Sequence, residues 1–224
     1  MSKHLNRAIE NLMRRLIALS AQVEESVRMA IESVKQSDSV LAGRVIRMDD
    51  TIDQEEIDLE EECLKILALH QPVAGDLRTI VAVLKINNDL ERIGDLSVDI
   101  AKHAIKIAQG DLVSHSFDFS EIFSRVRGML KSSLDSLVRT DAAVANKVLE
   151  EDDRVDELNR RICREVLSAM REEPEKAETL IQYMHVSKRL ERIGDHATNM
   201  AEDLIYLVTG EIIRHGTGLE PDTE

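Results

Sequence analysis

One six-residue string occurs twice in the chain, LERIGD at Leu90–Asp95 and again at Leu190–Asp195, 100 residues apart. Each copy carries a glutamate and an aspartate four residues apart, Glu91 with Asp95 and Glu191 with Asp195. A second acidic string also recurs, DDTID at Asp49–Asp53 and DDRVD at Asp152–Asp156, offset by 103 residues. Residues i and i+4 of an α-helix are neighbours on one face, so each string presents a pair of carboxylates. Two helices of one half could therefore gather four or five oxygen ligands. In the first half these are Asp49, Asp53, Glu91, Asp95 and, one turn on, Asp99; in the second they are Asp152, Asp156, Glu191, Asp195 and Asn199. Carboxylates ~5 Å apart repel by about 0.8 kcal/mol in bulk water and about 3 kcal/mol at an effective dielectric of 20. A partly buried cluster needs protons or cations. Hard oxygen donors with few imidazoles suit Mg²⁺, Mn²⁺, Ca²⁺ or iron better than a thiolate-type zinc site.

Other arrangements of the same residues compete with that chemistry. Acidic residues on an outward helix face form a solvated surface, and nine of the fourteen residues from Asp49 to Glu62 are acidic. Arg92 and Arg192 follow each glutamate and could pair with carboxylates of an adjacent helix. His103 and His196 lie beside the acidic turns and read as surface imidazoles; Cys63 and Cys163 read as small core residues. Gly94 and Gly194 oppose helix formation by ~1 kcal/mol each, which a close helix approach would explain. No P-loop, GxGxxG, GxSxG, HExxH or CxxC string is present, and nothing reads as a nucleophile.

The elements that must position these residues are helices. Leu41, Val45, Met48, Ile52, Leu59, Cys63 and Ile66 recur at helical spacing. Asp49 and Asp53, like Asp152 and Asp156, lie roughly 60 to 100° from the apolar stripe of their helix and so flank the next one. In the third segment Ile86, Leu90, Ile93, Ser97, Ile100, Ala104 and Ile107 form a core stripe, with Asn88, Glu91, Asp95 and Asp99 on the opposite side. The sixth segment repeats this, with Val186, Leu190, Ile193, Ala197, Met200, Leu204 and Leu207 inward and Lys188, Glu191, Asp195 and Asn199 opposite. Breaks at Ser37–Ser39, His70–Gly75, Gly110–Ser116, Thr140–Asp141 and Pro174 give six long segments. Helix starts are expected at Ser37 or Asp38, at Asp76, at Thr140–Asp141 and near Pro174. The fold class is all-α: two tandem, pseudo-symmetric three-helix bundles, up-down-up, with helices of roughly 25 to 35 residues. The expected units are 1–110, 111–215 and a frayed tail at 216–224.

Composition excludes several classes. In 224 residues there are 9 Gly, 3 Pro, 2% aromatic residues and no Trp, too few turn and strand formers for a sandwich, barrel or doubly wound sheet. A net charge of −14 without a Lys/Arg block repels nucleic acid and anionic lipid. Apolar runs such as Leu16–Leu19 and Ile80–Leu84 fall short of the ~20 residues a bilayer requires, and no signal-peptide core is seen in MSKHLNRAIE. Two cysteines outside any CxxC suggest a reduced, cytoplasmic protein.

The order of strings is similar to the PhoU family of phosphate-transport regulators: Asp49, Asp50, Ile52 and Asp53, then HQPVAGDLR at His70–Arg78, LERIGD at Leu90–Asp95, LERIGDHATNMAE at Leu190–Glu202, and YLVTGEIIRH at Tyr206–His215. The resemblance spans nearly the whole chain. It implies a cytoplasmic, usually homodimeric, non-enzymatic regulator of phosphate uptake and homeostasis that represses the phosphate-starvation response. It also implies two partners, the ATPase of a phosphate ABC transporter and a sensor histidine kinase. The family's E(D)xxxD motifs, which bind metal in some members, fall on Asp49 with Asp53, Glu91 with Asp95, Asp152 with Asp156, and Glu191 with Asp195, for iron, zinc, magnesium or manganese. Asn199 for Asp99 and Lys188 for Asn88 predict a weaker second site. Competing readings are a carboxylate-bridged di-metal oxidase, which lacks the Glu-x-x-His pairs such bundles use, and a purely structural helical spacer.

Overall fold

The same corner is built twice. Ser37 takes a left-handed φ of 51°, Asp38 N–H returns to Ser33 O, and the Asp38 carboxylate accepts from Val40 N and Leu41 N at 2.9 and 3.0 Å. One repeat later Thr140 has φ 53°, Asp141 N–H returns to Ser136 O, and Asp141 accepts from Ala143 N and Val144 N. In both, the left-handed residue ends one helix and the aspartate satisfies the orphan N–H groups of the next.

The computed structural model describes residues 3–210. Its helices are α1 (Lys3–Gln36), α2 (Ser39–His70), α3 (Ala74–Gln109), α4 (Ser120–Arg139), α5 (Ala142–Glu172) and α6 (Ala177–Thr209), with a 3₁₀ turn at Pro174–Lys176. There is no strand among the described residues. α1, α2 and α3 pack together as one three-helix bundle and α4, α5 and α6 as the other. The proposed tail at 216–224, and positions 211–215 before it, lie outside the described residues.

Burial follows the duplication. Val45, Ile52, Leu59 and Ile66 of α2 are buried at seven-residue intervals, and so are Val148, Val155, Ile162 and Ala169 of α5, each 103 positions on. A seven-residue period keeps one stripe facing its neighbours in a bundle. The expected stripe of α3 is buried throughout, and that of α6 is buried except for half-buried Leu207. Cys63 is buried, and its thiol is pushed up to about 12 chiefly by that burial. Cys163 is only half-buried, because it lies beside the Ile162 stripe and its thiol turns to Asn159 Oδ1.

Two expectations change. The cap of α3 is Val73, without a side-chain bond, and Asp76 sits in the first turn, because Gln71 and Ala74 with positive φ swing the chain around Pro72 first. α4 has 20 residues, shorter than the 25 to 35 expected, since the chain from Gly110 to Phe119 is held as an anchored linker. Phe119 is 5% exposed and stacks on Phe123 and Tyr183, while Asp118 accepts from Ser120 N and starts the helix there.

The bundles meet along α3 and α6, which run antiparallel. Lys85 Nζ donates to Asp203 Oδ1 at 2.5 Å, and the imidazoles of His103 and His185 stack at 4.9 Å. Both pairs stand nine residues either side of Gly94 and Gly194, so the pseudo-twofold axis passes near the two glycines. His196 Nδ1 also bonds Asp89 Oδ1 at 2.8 Å, and His103 Nδ1 bonds Gln182 Oε1 at 2.8 Å. The surface placement expected for His103 and His196 is therefore corrected: both are half-buried in this seam.

Candidate functional site

α2 crosses α3 closely at Gly94. A Cβ there would stand 3.3 Å from Ile52 Cγ2 and 3.4 Å from Asp49 Oδ1, so the glycine lets Asp49 press against α3. Gly194 has looser surroundings, 3.5 Å from Val155 Cγ1 and 3.7 Å from Met129 Cε. Close approach thus explains the first glycine better than the second.

The crossing gathers four of the expected residues. Burial, then the charges of Asp53 and Asp95, push the Asp49 carboxyl up to about 6. Burial, followed by Asp95, also raises Asp53 and Glu91, and Glu56 on the same side of α2 goes up through burial, Glu60 and Glu91. Burial disfavours the charged form, and each neighbouring carboxylate adds to that cost. In the second half burial leads again: Asp152 is raised despite a bond from Thr198 Oγ1, Asp195 is raised further by Asp152 and Asp156, and Glu191 by Asp195 and Asp156.

The two clefts differ in one hydrogen bond. Asp152 Oδ1 accepts from Thr198 Oγ1 at 3.3 Å, whereas Asp49 Oδ1 is buried without a partner. Val98 stands where the repeat places Thr198, so the first cleft lacks the hydroxyl that serves the second. A buried acceptor left without a donor costs about 1–3 kcal/mol.

The remaining expected residues are placed elsewhere. Asp99 is drawn toward the second bundle, where Arg189 Nε donates to its Oδ2 at 2.9 Å, and Lys102 Nζ is 3.8 Å from Oδ1. Asn199 is exposed. Asp156 accepts from Arg160 of its own helix. Arg92 pairs with Glu91 and Asp95 of its own helix, at 3.3 and 3.6 Å, not with α2. Among the described residues no three His, Cys, Asp or Glu side chains form a ready coordination shell.

The donor chemistry of the first cleft nevertheless fits a hard cation. Asp49, Asp53, Glu91 and Asp95 are oxygen donors that repel one another, and one of their oxygens is buried and unpartnered. Sequence reasoning missed Val98, Thr198, Lys102 and Arg192. The signal was present at the positions where the two copies of the repeat differ: Val98 against Thr198, Asp99 against Asn199, Lys102 against Glu202.

Comparison with known proteins places the chain. A family model described as PhoU domain matches residues 16–104 and again 119–204. A phosphate-specific transport system accessory protein PhoU homolog of Pseudomonas aeruginosa is 38% identical over 215 residues, 96% of this chain and 89% of the relative. A homolog of the same name from Clostridium acetobutylicum is 39% identical over 207 residues, covering 91% and 93%. The crystal structure of PhoU from Pseudomonas aeruginosa superposes with a TM-score of 0.89 at 37% identity, over 92% of this chain and 99% of that one. The structure of the phosphate transport system regulatory protein PhoU from Streptococcus pneumoniae gives 0.85 at 25% identity, over 94% and 100%.

Proposed function

The chain belongs to the PhoU family, and we propose that it serves a phosphate-specific transport system as a non-enzymatic accessory protein that regulates phosphate uptake. The observation that carries this reading is the match of the family model to both halves of the chain, together with relatives named for that role. In finer terms, the protein represses the phosphate-starvation response from the cytoplasm, as a homodimer that couples the transporter ATPase to a sensor histidine kinase. No helix among the described residues is long and apolar enough to cross a membrane, which agrees with action through partners.

The carboxylate clefts supply the second part of the proposal. Divalent or transition metal ions occupy them, held by Asp49, Asp53, Glu91 and Asp95 in the first half and by Asp152, Asp156, Glu191 and Asp195 in the second. Raised carboxyl pKa values and the orphaned Asp49 oxygen support this, because a cation removes both penalties. Asp99 and Asn199 are outer residues of the two sites, Asp99 being engaged by Arg189. The first site binds more tightly, since Asp152 already has Thr198 as a partner.

Deleting the coding sequence is expected to derepress phosphate-scavenging genes in high phosphate; unchanged reporter expression would refute the regulatory reading. Elemental analysis is expected to show metal in the purified protein and loss of most of it in Asp95→Ala with Asp195→Ala. Equal metal content in both proteins would remove the metal assignment and leave the regulatory one standing.

A further inference from the structure

A cavity of about 300 Å³ adjoins the first carboxylate cleft, lined by Asp49 of α2, by Asp95, Asp99, Arg92 and Lys102 of α3, and by Arg192 of α6. Three carboxylates thus face three permanent cations. His196 lines the same cavity, with its Nδ1 already bonded to Asp89.

The bases are only loosely committed. Among the described residues, Arg192 makes no hydrogen bond and no ion pair within 4.0 Å. Lys102 reaches Asp99 at 3.8 Å with 57% of its side chain exposed, while Asp99 is already held by Arg189 at 2.9 Å. Arg92 makes only the contacts of 3.3 and 3.6 Å to its own helix. Two guanidinium groups and an ammonium around one cavity form the donor set that binds tetrahedral oxyanions. The carboxylates cancel that attraction until their charge is offset. A divalent cation on Asp49 and Asp95 changes the sum from zero to +2, the complement of a hydrogen phosphate dianion.

The duplication provides an internal contrast. Arg92 and Arg192 are equivalent by the repeat and line this one cavity, but Lys102 has Glu202 as its counterpart. The first half alone therefore has a base at that position.

We propose that the first cleft is a cation-dependent phosphate receptor, in which Arg92, Lys102 and Arg192 hold inorganic phosphate once a divalent cation has neutralised Asp49 and Asp95. This rests on the metal reading of the same cleft. It gives an acidic protein a way to meet an anionic ligand directly, and it makes phosphate and cation binding mutually reinforcing.

Equilibrium dialysis of the full chain with radiolabelled orthophosphate, with Mn²⁺ or with EDTA, tests it, while isothermal titration follows Mn²⁺ alone. Phosphate is expected to bind at least tenfold more tightly with Mn²⁺. Lys102→Gln is expected to weaken phosphate about tenfold while Mn²⁺ binding tightens, because a cation has left the neighbourhood of Asp49. A merely structural lysine would move both affinities in one direction. Lys102→Gln and Arg192→Gln change exposed side chains, and unaltered thermal melts establish that they fold. Mn²⁺ binding without added phosphate retention overturns the inference alone; absence of Mn²⁺ binding overturns the metal reading with it. Phosphate retention unaffected by both variants also overturns it.

Discussion

Replacing Asp49 by asparagine should stabilise the metal-free protein at neutral pH and weaken its hold on metal, two effects of opposite sign from one atom. A rise of the Asp49 carboxyl from 3.8 to about 6 corresponds to roughly 3 kcal/mol between its two protonation states. The group is only half-buried, so screening by solvent reduces this to about 1–1.5 kcal/mol. Because the folded-state value lies above the unfolded one, the folded chain binds the extra proton. The stabilising contribution is full below pH ~4 and is lost as pH rises through about 6. Asp49→Asn mimics the protonated form at every pH. In EDTA at pH 7.5 the variant should melt about 3–5 °C above wild type, the shift expected for a chain of this size. At pH 4 the difference should vanish. Circular dichroism melts at both pH values read the stability, and isothermal titration with Mn²⁺ reads the metal, with affinity falling by tenfold or more. A lower melting temperature for Asp49→Asn at pH 7.5, or a difference that persists unchanged at pH 4, would falsify the electrostatic account of the cleft.

Two further substitutions test the geometry. Val98→Thr places a hydroxyl where Thr198 serves Asp152, so it should lower the Asp49 carboxyl pKa in a carbon-detected NMR titration and weaken metal binding by several-fold; an unchanged titration would contradict the comparison of the two clefts. Gly110→Ala should cost about 1–3 kcal/mol, since the new Cβ would collide with Thr179 Oγ1 and lie 3.0 Å from its Cγ2, and Thr179→Ala should recover most of the loss in a double-mutant cycle by urea denaturation. Additive losses would show that Gly110 is needed for another reason.

The sequence by itself determined the duplicated all-α fold. Apolar spacing, aspartate caps at the corners and two copies of LERIGD are local or repeated signals, and helices read such signals within a few residues of chain. It also marked Asp49, Asp53, Glu91 and Asp95 as a set, because a helical face is fixed by spacing alone. Only the tertiary structure decided which of these meet. The antiparallel seam of α3 and α6 takes Asp99 away to Arg189, buries His103 and His196, and brings Arg192 of one bundle to the cavity of the other. The charge partner of each residue depends on a distance across helices that are about 100 positions apart in the chain, and no periodicity encodes that distance. The same holds for the orphaned oxygen of Asp49, which follows from a valine where the other half has a threonine and from the depth at which α2 crosses Gly94.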